Sequence, residues 1–376
     1  MNNTADPIVL EQMQNKLTKY IENKRDNNES QIKAIESDSR LVYDYLVPTN
    51  KMEFDNMLDD NNNVTLTFED DKKKHRYITF HDNAITQLAS KFDVPTKYLR
   101  ELHNSKDSWK KFLAKEILTF HAVNAKQQRM LIRTVGNEAR GVLSDSYKRM
   151  NSIILYSTFI AAAQASGAVI ADAHYNGLTG YLEVIRPDVI VIPTENNGIQ
   201  YICFGVQFSN SDFGSRALEM RAFNFVVRCA NGWVTQSVMR NVHLGARLPD
   251  NLELSQETYD LDTRTKASLV KDTIGQLMDP ERLLKYSIQV QEASKITIDL
   301  ATEVKSLPQM GVNDSEIKGL EKLFMENNPD DNLGGGNTLF KLAQGLSAVS
   351  RDSSATRKRE LDEITGKLFD RINVKV

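Results

Sequence analysis

A chain of 376 residues with 40% hydrophobic and 26% charged content has the composition of a folded globular protein, long enough for one large core or two ordinary ones. No run approaches the roughly 18 consecutive apolar residues of a membrane span, and the N-terminal MNNTADPIVLEQMQNK lacks the basic patch and apolar block of a signal peptide. The net charge of -3 is uneven: residues 129–149 hold five basic residues against two acidic ones, and residues 214–247 hold five arginines against Glu219 alone.

At the N-terminus, Leu10, Met13, Leu17, Tyr20 and Ile21 recur at helical spacing on one narrow stripe. Residues 7–37 therefore read as one or two polar helices in an N-terminal arm (residues 1–50), which covers its own domain, docks on another subunit or stays mobile. VTLTF (64–68) and YITF (77–80) predict a hairpin, and the EDDKKKHR between them suits a solvated turn. Ile85, Leu88, Ala89 and Phe92 then line a helix; Asp93 and Val94 interrupt it, and Pro95 opens a second helix carrying Tyr98, Leu99 and Leu102. The spacing is that of a helix-turn-helix. Its second helix offers only Thr96, Lys97 and Arg100 to DNA, so packing is the preferred reading.

A helix from Asp107 to about Val123 carries Trp109, Phe112, Leu113, Ile117 and Phe120. MLIRTV and GVLS, joined by GNEAR, predict a second hairpin with Gly136 and Asn137 in the turn. An alanine-rich helix at 151–167 follows, then four strand candidates: AVIADAHY, GYLEVI, YICFGVQF and LEMRAFNFVV. The expected fold class is α+β: an antiparallel sheet core of hairpin, helix and strand meander, flanked by N-terminal and C-terminal helices. On this reading residues 51–250 form the core domain. Residues 251–376 form a helical region, with helices through 254–306 broken near Asp279 and Pro280, another at 314–326, a flexible loop at 327–337 and a last helix or pair.

No motif names a reaction. The six histidines are scattered, with no HExxH or CxxC, and GxxxxGK[ST] is absent, so no metal, cofactor or catalytic residue is assigned. Asp188 and Glu195 flank an apolar strand as magnesium-binding nuclease carboxylates do, but Asn197 stands where such a site needs lysine. Cys203 and Cys229 fit a reducing compartment and read as core residues; in a hairpin turning near Asp212, Cys203 falls opposite Arg221.

What remains is arginine interleaved with aromatics: Arg216, Arg221, Arg228, Arg240 and Arg247 among Phe213, Phe223, Phe225 and Trp233. Arginine neutralises phosphate and aromatic faces stack on unpaired bases. Alternation puts Arg221, Phe223, Phe225 and Val227 on one strand face and Arg228 on the other. Whether that first face is buried or open decides between a core strand and a groove. The candidate nucleic-acid-binding residues are Arg133, Arg140, Lys148, Arg149, Arg216, Arg221 and Arg240.

Four ordered blocks are similar to a known family. RMLIRTVGNEARGVLSDSYKRMN, FHDNAITQLASKFDVPTKYLREL, SRALEMRAFNFVVRCANGW and GGGNTLFKLAQGLSAVSRD resemble segments of the phage/plasmid-like protein family, domain of unknown function 932. The resemblance covers roughly residues 75–370. Phe340 stands where the family usually has tryptophan, and the N-terminal arm does not match. The resemblance implies a mobile-element setting in the cytoplasm of a bacterial host and supplies no catalytic residues. With the basic middle, it gives the expectation of a homo-oligomeric protein that binds nucleic acid, single-stranded DNA first, in replication, recombination or annealing. The alternative is a virion-associated or host-interaction (anti-defence) protein with no nucleic-acid role.

Overall fold

The computed structural model describes residues 6–56, 63–126, 129–147, 150, 152–228, 230–243, 254–326, 336–369 and 372. Among them are two mixed α/β layers, each a six-stranded, mostly antiparallel sheet with helices packed on it.

The first helix, α1 (Pro7–Arg40), is single and uninterrupted. Pro7 occupies its first turn, and the Asp6 side chain accepts from the Ile8 N–H, the arrangement that satisfies an open helix start. The first sheet takes β1 (Val42–Pro48), β2 (Glu53–Asp55), β3 (Thr65–Glu69), β4 (His75–Phe80), β5 (Arg129–Val135) and β6 (Glu138–Ser144), in the order β1-β5-β6-β4-β3-β2. Both predicted hairpins form; β5 turns into β6 through Gly136, whose φ of +58° suits glycine. Helices α2 (Asp82–Lys91), α3 (Thr96–His103) and α4 (Ser108–Val123) cover this sheet. Ile85, Leu88, Leu99 and Leu118 pack with Leu66, Ile78, Ile132 and Val142 in one apolar core.

After α5 (Ser152–Ala165) the chain builds the second sheet from β7 (Val169–Tyr175), β8 (Gly180–Ile185), β9 (Ile190–Pro193), β10 (Ile199–Asn210), β11 (Leu218–Val226) and β12 (Asn231–Asn241). Its order is β12-β11-β10-β8-β7, with β9 pairing the start of β10. Gly205 sits mid-strand where a Cβ would lie 1.8 Å from the Val184 carbonyl oxygen, so only glycine lets β8 and β10 approach. Helices α6 (Gln256–Leu277), α7 (Pro280–Lys295), α8 (Leu300–Ser306), α9 (Asp314–Glu326), α10 (Leu339–Val349) and α11 (Ala355–Phe369) complete this half. Phe204, Phe208 and Met220 meet Phe159 of α5, Val270 and Ile274 of α6 and Leu342 of α10 in its main core.

The opposite face of this sheet answers the question left open by alternation. Phe223, Phe225 and Val227 are buried beneath α1, where Leu17 is buried and Tyr20 lies 4.9 Å from the Phe225 ring. The arm therefore covers its own chain. It also protects a sheet edge: Asn28 Oδ1 accepts from the Ala173 N–H and Gln31 Oε1 from the Tyr175 N–H, occupying donors that edge strand β7 would otherwise expose.

Candidate nucleic-acid interface

The two halves meet at the loop joining β10 to β11, residues 211–217. The Phe213 carbonyl accepts from Asn83 Nδ2 and Gln87 Nε2 of α2, the Ser211 carbonyl from the Tyr147 hydroxyl, and the Asp212 carbonyl from Arg133 Nη1. Because the loop spans these residues rather than turning tightly at Asp212, Cys203 faces Phe225 and Arg221 faces Gln207. The pairing shifts by four residues, an even number, so the expected faces are kept. The stretch 201–247 thus supplies both the core of the second sheet and the joint to the first.

That joint shows what most of the candidate arginines do. Arg133 is buried; its Nε and Nη2 donate to the two Asp44 oxygens at 2.8 and 3.1 Å, in a bidentate pair. Burial lowers its pKa, but Asp44 and Asp212 outweigh that and raise it, so it stays charged. Arg140 donates to Glu138 at 2.8 Å, to Asp38 of α1 at 2.5 Å and to the Gly177 carbonyl at 2.9 Å, tying α1 and the β7–β8 turn to β6.

Arg216 and Arg221 both engage Glu219 and, from α11, Glu363. Nearby, Asp172 is paired with Lys24 of α1 and Arg359 of α11. Arg133, Arg140, Arg216 and Arg221 therefore hold elements together, and the aromatics meant to stack on bases (Phe213, Phe223, Phe225, Trp233) are all buried. Lys148, Arg149, Cys229 and Arg247 lie outside the described residues.

The exception, Arg240, is at a cleft of about 640 Å³ beside the joint, between α2, the end of β6 and the end of β12. Lys91, Arg216 and Arg240 line it, with the hydroxyls of Thr86, Ser90, Ser144 and Ser215, and among its described lining residues there is no carboxylate. Arg240 is exposed at the end of β12. Arg216 is half-buried; its guanidinium rests 5.2 Å over the Tyr181 ring, its Nε donates to Ser209 at 3.0 Å and its Nη2 is taken by Glu219 and Glu363, so its position is fixed and its charge already compensated. Burial lowers the pKa of Lys91 while Asp145 opposes that shift; Asp145 is itself occupied by Arg129 at 3.3 Å.

Behind these side chains Tyr147 and His243 stack in parallel at 5.2 Å, and His243 Nε2 meets Asn210 Oδ1 at 2.8 Å, a buried wall rather than a platform open to bases. Of the seven predicted residues, the structure brings Arg216 and Arg240 to this cleft. It adds Lys91, at the end of a helix where the sequence gives a lone lysine no distinguishing signal.

The other candidate chemistry is not assembled. Asp188 pairs with Arg186 and stays largely exposed, while the Glu195 backbone N–H is directed to Ser294; no group of three or more ligating side chains suited to a metal ion occurs among the described residues. Cys203 is buried, and burial, with Asp188, pushes its thiol up to about 12, far from a reactive thiolate. Arg100 of the helix pair is engaged by Asp82 at 2.8 Å. Among the described residues no helix is long and apolar enough to cross a membrane. No protein-family model, curated protein or solved structure matches the chain.

Proposed function

We propose that this chain binds the phosphate backbone of nucleic acid along the cleft lined by Lys91, Arg216 and Arg240. The observation that carries the reading is the cleft's composition: Lys91 and Arg240 with the hydroxyls of Thr86, Ser90, Ser144 and Ser215 and no carboxylate among the described lining residues, Arg216 at its edge being already paired with Glu219 and Glu363, on a chain whose net charge is -3. Cations on one concave surface concentrate the attraction for a polyanion, and hydroxyls donate to phosphate oxygens. A cleft of about 640 Å³ admits a few nucleotides of a flexible strand, whereas a rigid duplex would reach only its rim. Single-stranded DNA is therefore the favoured ligand. With the bulk of the aromatics buried, recognition is of the backbone and tolerant of sequence. The resemblance to the phage/plasmid-like family supports a role in replication, recombination or annealing in a bacterial host cytoplasm.

Fluorescence polarisation with a single-stranded oligonucleotide, and with the same sequence as a duplex, at low and moderate salt tests this reading. Tight binding of the single strand at low salt, weakened by added salt, is expected. Absence of binding at low salt, or affinity indifferent to salt, overturns it.

One observation favours the second reading, a protein-binding role without nucleic acid: Arg133, Arg140, Arg216 and Arg221 are all engaged by carboxylates of the same chain. Recovery of one host or virion protein on the tagged chain, unchanged by nuclease, with no oligonucleotide binding, would establish it.

A further inference from the structure

We propose that Glu363 of α11 is a built-in competitor of the ligand: it and a phosphate in the cleft contend for the same Arg216 guanidinium, so that the C-terminal helix sets the affinity of the site. The inference rests on the reading of the cleft as a phosphate-binding surface and adds a regulator to it.

Arg216, Arg221, Glu219 and Glu363 form a square in which cations and acids alternate. Glu219 turns Oε2 to Arg216 Nη2 at 3.3 Å and Oε1 to Arg221 Nη2 at 3.0 Å. Glu363 divides its oxygens in the same way, with Oε1 on Arg216 Nη2 and Oε2 on Arg221 Nη1, the second at 3.3 Å. Three corners come from residues 216–221, whereas Glu363 arrives from 147 residues beyond Arg216 in the chain. The square is neutral as it stands.

Its two arginines are not equivalent. Arg216 lines the cleft beside the exposed Ser215, and Arg221 is not among the described lining residues. Because Arg221 touches both acids, the tie between β11 and α11 survives withdrawal of Arg216, and neither acid is left without a cation. Arg216 also has a donor to spare. Its Nε is on Ser209 and its Nη2 on the two acids, but its Nη1 reaches only the Tyr181 hydroxyl, at 3.5 Å. A guanidinium carries five N–H donors in a planar fork, so the Nη1 edge is the one that a phosphate oxygen can take. Of two cations on the same pair of acids, the one the structure can release is the one at the cleft.

The contest has a direction. The Glu219 side chain is 7% exposed and that of Glu363 is 22% exposed, so Glu363 is the acid that water can solvate when Arg216 turns to a phosphate. Other contacts retain α11: Arg359 is paired with Asp172, and Leu361 and Leu368 lie in the main core. Loss of one ion pair therefore loosens the start of this helix without detaching it. Linkage makes the effect reciprocal, so a Glu363 held firmly on Arg216 lowers the affinity for phosphate.

The experiment is a polarisation titration with a single-stranded oligonucleotide across a salt series, on the parent, Glu363→Gln, Arg216→Gln and the double variant. Glutamine keeps the size of Glu363 and removes its charge. Glu363→Gln should bind about fivefold tighter at about 0.1 M salt and steepen the salt slope by about 0.7, the worth of one further phosphate contact. In the Arg216→Gln background the same change should bring almost no gain, which separates competition for this guanidinium from a general loss of negative charge. Glu360→Gln, on the same helix and paired with Arg357, should keep the parent's slope. On the parent chain, binding should speed amide exchange at residues 357–364, a readout that needs no variant to fold. A parent that binds while Glu363→Gln matches it in affinity and slope, a gain that persists with Arg216→Gln, or exchange at 357–364 that is unchanged or slowed would each overturn the proposal and leave the cleft reading standing. A parent that fails to bind at low salt overturns the cleft reading, and the proposal with it.

Discussion

Replacing Arg133 by methionine removes the donor that holds Asp44 in a bidentate pair and satisfies the Asp212 carbonyl. Both acceptors sit at the joint between the halves, and Asp44 keeps only 16% of its side chain exposed. Breaking a buried pair by deleting one partner costs about 3–5 kcal/mol. The partial exposure of Asp44 puts this case at the lower end. An unfolding entropy of about 2.1 cal/mol/K per residue over 376 residues converts that loss into a fall in melting temperature of about 4 °C if the chain melts as one unit. Differential scanning fluorimetry measures it, and removing Asp44 as well, as Arg133→Met with Asp44→Leu, should recover most of the loss because no unpaired charge remains. Single-strand affinity, measured below the melting transition, should be within a few-fold of the parent. An unchanged melting temperature together with lost affinity would refute this division of labour and return Arg133 to the binding surface.

Gly205→Ala places a methyl group 1.8 Å from the Val184 carbonyl oxygen in the centre of the second sheet, so soluble yield should collapse, and a variant with parental melting would contradict the strand register. Burial holds the Asp362 carboxyl up at about 8, with Lys358 and Arg359 opposing and Glu183 and Asp172 reinforcing the shift. A raised acid binds its proton more tightly in the folded chain, so its stabilising contribution is full below about pH 4 and is lost as pH rises to about 8. Melting temperature across that window should therefore fall more steeply for the parent than for Asp362→Asn, and identical slopes would exclude the raised value. Cys203 should resist alkylation in the native chain and react once it is unfolded, as peptide mass mapping would show; native labelling would contradict its burial.

Element types were legible in this sequence wherever periodicity was strong. The hairpins at 65–80 and 129–144, the α2–α3 pair broken at Asp93 (φ +54°), and the long strands β10 and β11 follow from alternation and turn residues. Strand β1, VYDYLVP, escaped notice because its polar Asp44 and Tyr43 hide the alternation, and Asp44 is polar because Arg133 needs it. The aromatics of α4 point outward from a seam built on small Ala114 and Ala122, so side-chain size alone misidentifies the buried face.

The site was less legible than the fold. A run of arginines records the number of cations but not their partners, and those partners, Asp38, Asp44 and Glu363, are distant in sequence and meet the arginines only through tertiary packing. Arg240 was identifiable because it lies on the basic stretch itself, and Lys91 was not, because its relevance arises from where α2 ends.

The most direct measurement is the salt dependence of single-strand binding for the parent and for Lys91→Gln combined with Arg240→Gln, with Lys97→Gln combined with Lys305→Gln as a control of equal charge change away from the cleft. Each phosphate contact contributes about 0.7 to the slope of log affinity against log salt. The cleft double variant should lose about 1.4 of that slope and the control almost none. Equal slopes for the parent and the cleft variant, with affinity preserved, would contradict the assignment of the cleft as the binding surface.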